Sequence, residues 1–399
     1  MPKPLTIFVH RASECLTDHE AHGDGLICFS LLNGLAERGH RVYAYADTAP
    51  IRRCSPNLHV RTARHRVPAN SLAPWEHSWR AERWMRELER TTQFDLVWRM
   101  HPYGGGCPAP PHAPALPLVV GPLFYDWPEQ QGGQQGGQPR GGRPRLGIGL
   151  QSLVGPAARR GWERTLRGAA LVICATDRHA EDTRARSPGT AVMALPVIVE
   201  PPQGVAPRAP RTGAEGVTLL FVANLVPHKR PRVFCETLRR LRAGGVRARG
   251  VVLGDGPERP ALEAWCAEAG LAPAICFRGK VPNGEVSRAL TEADFLISTS
   301  CGEPYGRGIA EAMSAGVPAV CHRSGGPADF IDDGRDGLLV GDLTAESYAE
   351  RIRHLFDAPG AWERLSGGAR RKAEGWRGEA VLARLEEALC RVVGTHGGG

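Results

Sequence analysis

The chain has 399 residues, which is too long for one ordinary hydrophobic core and predicts two domains of about 200 residues each. Hydrophobic residues make up 42% and charged residues 23%, the balance of a folded globular protein, and no run of about 18 apolar residues predicts a membrane span. The net charge of +8 leaves a nucleic acid, an anionic membrane face or a phosphorylated ligand open as a partner.

Strand and helix patterns alternate along the first half of the chain. Apolar runs predict strands at 5–10, 42–46, 94–100, 117–121 and 170–176, and helical spacing covers 26–38 and 75–92. The Gly/Gln/Arg-rich stretch 130–147 has too little apolar surface to pack, so we expect a mobile loop inside the first domain.

Two features of the sequence bear on location. The opening apolar stretch is too short for a signal peptide. The 11 cysteines include no Cys-x-x-Cys pair, a pattern typical of reduced thiols. We therefore expect a cytoplasmic protein.

The second half repeats the alternation after a break. The Pro/Gly-rich stretch 201–216 predicts a linker, so the first domain is expected at 1–200 and the second from 217. Strands are predicted at 218–224, 250–256, 274–280, 294–300 and 318–323, and helices at 231–243, 258–269, 284–292 and 306–315. This order predicts a mostly parallel, doubly wound sheet with helices on both faces.

Polar and glycine residues of the second domain follow the predicted strand ends. They are Lys229, Gly254 to Gly256, residues 302–306 and residues 324–326. Because ligands of open α/β sheets bind at the carboxyl ends of the strands, four such loops predict a ligand crevice.

The segment 303–311 carries the most specific chemistry. Gly306 and Gly308 open a helix, whose free N–H groups suit a diphosphate. Glu311, within that helix, can accept two hydrogen bonds from vicinal ribose hydroxyls, and Glu303 can accept bonds from sugar hydroxyls. The helix dipole also stabilises acidic residues near a helix start, and this structural explanation is sufficient for either glutamate alone. It does not explain both glutamates together with the glycines at this spacing.

The segment 303–311 resembles the Glu-x7-Glu signature of retaining glycosyltransferases of family 4, which have the GT-B fold. Residues 252–257, 277–300, 310–320 and 324–340 are also similar to that family. The likeness is strongest in 217–342 and weakest in 48–200. It implies two doubly wound Rossmann-like domains facing a central cleft: an acceptor domain at 1–200, a donor domain at 217–375, and a C-terminal helix at 376–399 that crosses back to the first domain.

The resemblance also implies residue roles. Glu311 would bind the ribose, Glu303 the donor sugar and Lys229 the phosphates; Tyr305 and Gly306 would present N–H groups to the donor, Lys280 and Val281 would hold the base, and Gly23 and Gly25 would form the glycine loop. The family has Gly-Arg-Leu where this chain has Ala-Asn-Leu, with Asn224 in place of the arginine. Arg307 is then a candidate for the missing positive charge.

The first domain offers weaker candidates. The family often has a histidine near the position of His101, close to the transferred sugar, although His101 suits a surface or core position equally well. Tyr125 and Trp127 are candidates to stack on a sugar or cyclitol ring, or else are buried aromatics. No Asp-x-Asp pair is present, so we predict neither a metal site nor a cofactor.

These observations predict a metal-independent glycosyltransferase of specialised metabolism, without a nucleic-acid partner, and the family resemblance implies that it retains the anomeric configuration. It would move a sugar from a nucleoside diphosphate, UDP by family frequency, to a hydroxyl of a small polar acceptor such as an aminocyclitol. Three alternatives stay open: a lipid or cell-envelope acceptor, with peripheral membrane contact; an epimerase or a non-glycosidic coupling enzyme on the same fold; and a non-catalytic sugar-nucleotide-binding protein.

Overall fold

The computed structural model describes residues 3–20, 23–63, 73–100, 116–123, 162–202, 216–356, 358 and 360–396. The chain divides into two compact units. Unit 1 comprises Met1–Ile198 with Gly378–Gly399, and unit 2 comprises Val199–Arg377. None of the helices within the described ranges is long and apolar enough to cross a bilayer.

Unit 1 contains a seven-stranded parallel sheet. Its strands are β1 (Thr6–Arg11), β2 (Arg41–Ala46), β3 (Leu58–Thr62), β4 (Leu96–Arg99), β5 (Leu118–Leu123), β6 (Leu171–Cys174) and β7 (Val192–Ala194), in the spatial order β3-β2-β1-β4-β5-β6-β7. Strand β1 is buried at all six positions, as expected of a parallel strand covered on both faces.

Within the described residues, the helices of unit 1 include α1 (Gly23–Glu37), α2 (Ala73–Leu88), α3 (Asp177–Arg186) and the last helix of the chain, Gly378–His396, and residues 162–167 are helical as well. That last helix packs tightly on α1, because a Cβ at Gly34 would lie 2.4 Å from Leu382 Cδ1. Its Glu386 accepts hydrogen bonds from Arg38 at 2.7 Å and from the ring of His40 at 3.0 Å. Small-residue packing and an ion pair therefore fix the last helix to unit 1.

Unit 2 contains a six-stranded parallel sheet. Its strands are β8 (Val217–Val222), β9 (Ala248–Leu253), β10 (Ile275–Gly279), β11 (Phe295–Ser298), β12 (Ala319–His322) and β13 (Gly337–Val340), in the order β10-β9-β8-β11-β12-β13. The chain winds outward from β8 to β10 and then returns to pair β11 with β8. The strand order reverses between β8 and β11, and their carboxyl ends flank the crevice where such sheets bind ligands.

The helices of unit 2 are α4 (Pro231–Ala243), α5 (Arg259–Glu268), α6 (Asn283–Glu292), α7 (Arg307–Ser314), α8 (Gly325–Phe330), α9 (Ala345–Phe356) and α10 (Ala361–Glu374). They cover a core that contains Phe221, Phe234 and Phe295. We number the last helix of the chain α11 (Gly378–His396).

The two doubly wound parallel sheets confirm the predicted fold class. The predicted helix at 231–243 matches α4, and the other predicted elements of unit 2 lie within a few residues of those observed. The sequence patterns missed β3, β7 and β13, which have three to five residues and carry too short a pattern to separate strand from loop.

One prediction about the first unit is wrong in its local structure. Gly23 and Gly25 do not form a loop but lie in the first turn of α1. Gly25 is buried in that helix, and a Cβ at Gly23 would meet no atom within 4 Å. The observed helix thus begins at Gly23, three residues before the start of the predicted helix at 26–38. Glycine is tolerated in a first turn because few helical hydrogen bonds have yet formed there.

Candidate active site

Lys229 stands at the crevice because the chain after β8 turns sharply. It ends a short 3-10 turn, and Arg230 then adopts a left-handed conformation with φ 47° before α4 begins. The buried hydroxyl of Thr299, just past β11, donates to the carbonyls of Lys229 and Arg230 at 2.7 and 2.9 Å. A non-glycine residue in this conformation costs free energy, and such strain persists where surrounding bonds impose it.

Glu303 lies across the reversal point from Lys229. The Lys229 Nζ donates to Glu303 Oε2 at 2.5 Å, and both side chains are only 20% exposed. The pair joins the loop after β8 to the loop after β11. A positive and a negative group are therefore already in place, partly shielded from water, where ligands bind in this architecture.

Helix α7 begins at Arg307, four residues beyond Glu303. Gly306 caps it in a left-handed conformation with φ 89°, and the N–H groups of Arg307 and Gly308 have no partner within the helix because they lie in its first turn. The resemblance gives the N–H role to Tyr305 and Gly306, the two residues just before the helix. The Tyr305 ring is buried and contacts Phe330, with centroids 5.3 Å apart, so this side chain holds the loop in place.

Glu311 is one helical turn beyond Arg307. The Arg307 Nε donates to Glu311 Oε1 at 2.8 Å, and the two side chains are 25% and 30% exposed. Within the described residues, the Arg307 Nη1 is buried and has no hydrogen-bond partner. The guanidinium therefore has a donor left for an acceptor oxygen of a ligand.

The loops after β8, β9 and β10 form the other side of the same edge. Asn224 is exposed, and its neighbour Leu225 donates its N–H to the Asp255 carbonyl at 3.0 Å. Gly254 donates to the Gly279 carbonyl at 2.8 Å, which brings the turn containing Lys280 and Val281 to this edge. Lys280 is exposed and Val281 is half-buried.

His228 precedes Lys229 in the same turn, and no sequence pattern predicts a role for it. Partial burial lowers its pKa first, and the charge of Lys229 lowers it further, while Glu303 acts in the opposite direction. His228 is thus held in its neutral form at neutral pH. Its carbonyl also accepts a bond from Cys301 at 3.4 Å, which ties the turn to the loop before Glu303.

The structure brings together Lys229, Glu303, Tyr305, Gly306, Arg307 and Glu311 at one edge of unit 2. Gly23 and Gly25 belong to unit 1. The predicted residues His101, Tyr125 and Trp127, and the predicted loop at 130–147, lie outside the described residues.

Two family matches cover both halves of the chain. The family of glycosyl transferases group 1 matches residues 207–372, and a glycosyl transferase 4-like domain matches residues 27–197. The chain belongs to the group 1 glycosyltransferases. Its two doubly wound sheets are those of the GT-B fold.

Two curated proteins are similar to this chain in sequence. A 2-deoxystreptamine glucosyltransferase of Streptomyces kanamyceticus is 31% identical over 144 residues, 36% of this chain and 37% of that protein. A D-inositol 3-phosphate glycosyltransferase of Saccharomonospora viridis is 31% identical over 195 residues, 46% of this chain and 45% of that protein. The matches thus span less than half the length of either relative.

The similarity in structure is wider than the similarity in sequence. Sucrose-phosphate synthase from Thermosynechococcus elongatus superposes with a TM-score of 0.72 at 17% identity, covering 98% of this chain and 100% of that one. At this identity the likeness establishes the fold alone.

Proposed function

We propose that this chain is a glycosyltransferase that moves a sugar from a nucleoside diphosphate to a hydroxyl acceptor. One observation carries the proposal. The two glutamates of the 303–311 segment each pair with a cation at the strand reversal point, Glu303 with Lys229 at 2.5 Å and Glu311 with Arg307 at 2.8 Å.

This arrangement suits the charge changes of glycosyl transfer. The diphosphate gains negative charge as its bond to the sugar breaks, and preplaced cations and helix N–H groups stabilise such charge. Lys229, Arg307 and the first turn of α7 would meet the diphosphate. Glu311 would accept the ribose hydroxyls and Glu303 the hydroxyls of the donor sugar, so both carboxylates exchange a cation for ligand donors.

We infer that the reaction needs no metal, because Lys229, Arg307 and the helix dipole supply positive charge where a metal would otherwise stand. Activity should survive excess chelator. A complete loss that added metal ions restore would refute this part of the proposal. Retention of anomeric configuration and UDP as the nucleotide are supported only by the family resemblance, and proton NMR of the product tests the first.

We propose a cyclitol-type acceptor, with an aminocyclitol first. Both curated relatives described above are named for cyclitol acceptors, 2-deoxystreptamine and D-inositol 3-phosphate. We place the reaction in the cytoplasm. The ten cysteines in the described part of the chain are free thiols, as a reducing compartment permits.

A two-step experiment tests this proposal. Thermal shift against UDP, GDP, dTDP and ADP identifies the nucleotide, and mass spectrometry then follows the matching sugar nucleotide with 2-deoxystreptamine, D-inositol 3-phosphate or a lipopolysaccharide core. A product one sugar heavier supports transfer and names the acceptor class. An isomerised donor would instead indicate an epimerase, and binding without turnover a non-catalytic protein.

A further inference from the structure

A histidine at the end of β12 joins two neighbouring loops of unit 2. The ring of His322 lies with Nδ1 2.7 Å from Ser324 Oγ and Nε2 3.1 Å from the Gly341 carbonyl oxygen. Ser324 Oγ in turn accepts the N–H of Gly302 at 3.2 Å. A continuous chain of hydrogen bonds thus runs from the end of β13 to the residue directly before Glu303.

For a neutral ring, the partners fix the direction of the bonds in this chain. The Gly341 carbonyl can only accept, so the proton of a neutral ring is on Nε2 and Nδ1 presents a lone pair. Ser324 therefore donates its hydroxyl proton to Nδ1 and turns an oxygen lone pair towards the Gly302 N–H. His322 thus selects one orientation of the Ser324 hydroxyl.

The backbone of Glu303 is held from its other side by the same loop. Gly326 donates its N–H to the Glu303 carbonyl at 2.9 Å. Gly325 has φ 64°, and a Cβ there would lie 2.2 Å from that carbonyl oxygen. The backbone of Glu303 is thus held on both sides, by the hydrogen bond of Gly302 before it and by the bond to its own carbonyl. The close approach at Gly325 leaves no space between the two loops.

We propose that Ser324, oriented by His322, is a positioning residue that sets the Glu303 carboxylate against the sugar of the donor. The proposal rests on the proposed function. Ser324 acts through Glu303 and through the Gly302 peptide, and has no assigned contact with the sugar. Without the Ser324 acceptor, the Gly302 peptide loses a hydrogen bond that helps to position Glu303. The position of the Glu303 carboxylate would then depend mainly on its ion pair with Lys229, 2.5 Å away.

This role predicts an effect on the sugar and not on the nucleotide. Glu303 is assigned to the sugar, whereas Glu311 is assigned to the ribose, and Glu311 lies outside the hydrogen-bond chain. Losing one hydrogen bond of this kind changes an affinity by about tenfold, and misplacing a reacting group lowers turnover by up to about 100-fold.

The experiment uses four variants of the full chain with UDP and UDP-glucose as probes. Ser324→Ala removes the hydroxyl. His322→Asn keeps an acceptor near the position of Nδ1, and His322→Gln keeps a donor near Nε2. Ser287→Ala is the matched control, because that serine, within the described residues, donates to a carbonyl of its own helix α6 at 3.2 Å.

We expect Ser324→Ala and His322→Gln to weaken UDP-glucose binding about tenfold, to lower its turnover further, and to leave UDP affinity within about twofold of wild type. His322→Asn and Ser287→Ala should behave as wild type. The opposite result, with normal UDP-glucose binding in His322→Gln and weakened binding in His322→Asn, would overturn the proposal. It would show that the bond of His322 to Gly341, and not its bond to Ser324, determines binding. Equal loss of UDP and UDP-glucose would overturn the proposal as well.

A second measurement does not depend on activity. Nitrogen NMR of wild-type His322, recorded at a pH where the ring is neutral, should show its proton on Nε2, and Ser324→Ala should speed hydrogen exchange of the Gly302 amide. A proton on Nδ1, or unchanged exchange, overturns the hydrogen-bond chain even if the protein binds no sugar nucleotide. Failure of wild type to bind UDP, GDP, dTDP, ADP or any of their sugar conjugates, with these NMR results as expected, would count against the proposed function, and against the positioning of a sugar with it.

Discussion

The carboxyl ends of the two sheets differ in how they hold their polar residues. In unit 2 the charged side chains of the candidate site are 20% to 30% exposed and joined in pairs. In unit 1, His10 near the end of β1, Arg99 at the end of β4 and His77 of helix α2 are each only 1% exposed. The same architecture therefore carries an exchangeable set of ion pairs in one unit and a sealed polar layer in the other.

The difference affects which groups can respond to a ligand. Burial, and then the charge of Arg99, hold the pKa of His10 well below its usual range, so that this ring stays neutral at neutral pH. The pairs of unit 2 are near enough to water to exchange partners without leaving a charge stranded in the interior. We expect substitutions in unit 2 to change binding and catalysis, and those in the sealed layer to change stability.

The largest effect is expected at Lys229. Lys229→Ala should lower kcat/KM by about 100- to 1,000-fold, because the leaving diphosphate loses its nearest cation. Steady-state turnover with the true donor measures it, and Lys3→Ala, an exposed lysine of unit 1, is the control. Near-normal turnover would mean that the phosphate site lies elsewhere.

Glu311→Ala should weaken nucleotide binding by about 1.5–3 kcal/mol, the scale of hydrogen bonds to a charged group, and leave the fold intact. Calorimetric titration with UDP provides the measurement. Glu236→Ala breaks a comparable pair one helical turn apart on α4, with Arg232 at 2.8 Å, and should leave the affinity unchanged. Equal affinities of wild type and Glu311→Ala for every nucleoside diphosphate would remove Glu311 from the site.

Arg307→Ala should have a smaller but measurable effect, about 1 kcal/mol in kcat/KM, since Lys229 and the helix N–H groups remain. Asn224→Arg should be tolerated because Asn224 is exposed at the same edge, and in the Arg307→Ala background it should recover part of the loss. Kinetics of the two single variants and the double variant test this. An additive loss in the double variant would show that the two positions do not share the diphosphate.

The smallest effect concerns stability in unit 1. Burial opposes ionisation of Glu386, but bonds from Arg38 and His40 outweigh it and lower its pKa. Because folding lowers the pKa of this carboxyl, its ionised form stabilises the fold fully at pH values above its unfolded pKa of 4.5. This contribution is lost as the pH falls through the lower pKa of the folded state. Glu386→Gln should therefore lower stability by about 1 kcal/mol at pH 7 and by less at pH 3, measured by denaturant unfolding. A pH-independent difference would argue against the ionised pair.

The second unit was more predictable than the first for physical reasons. Helix α4 and the turn at Gly306 follow from local patterns, and the order of strands brings their loops to one edge. The ion pair Lys229–Glu303 could not be predicted, because it depends on side-chain geometry between separate loops, whereas Arg307 and Glu311 pair at the ordinary spacing of one helical turn. His322 was missed because its partners, at Ser324 and Gly341, come together only after the sheet forms.

The assignment of helix α11 to unit 1 has a consequence for synthesis on the ribosome. Unit 2 is one continuous segment, Val199–Arg377, whereas unit 1 is interrupted by it and resumes at Gly378. All the residues of unit 2 are thus made before the helix that carries Leu382 and Glu386 exists. Until then the face of α1 around Gly34 lacks its cover, so unit 1 cannot complete its fold before all of unit 2 has been synthesised.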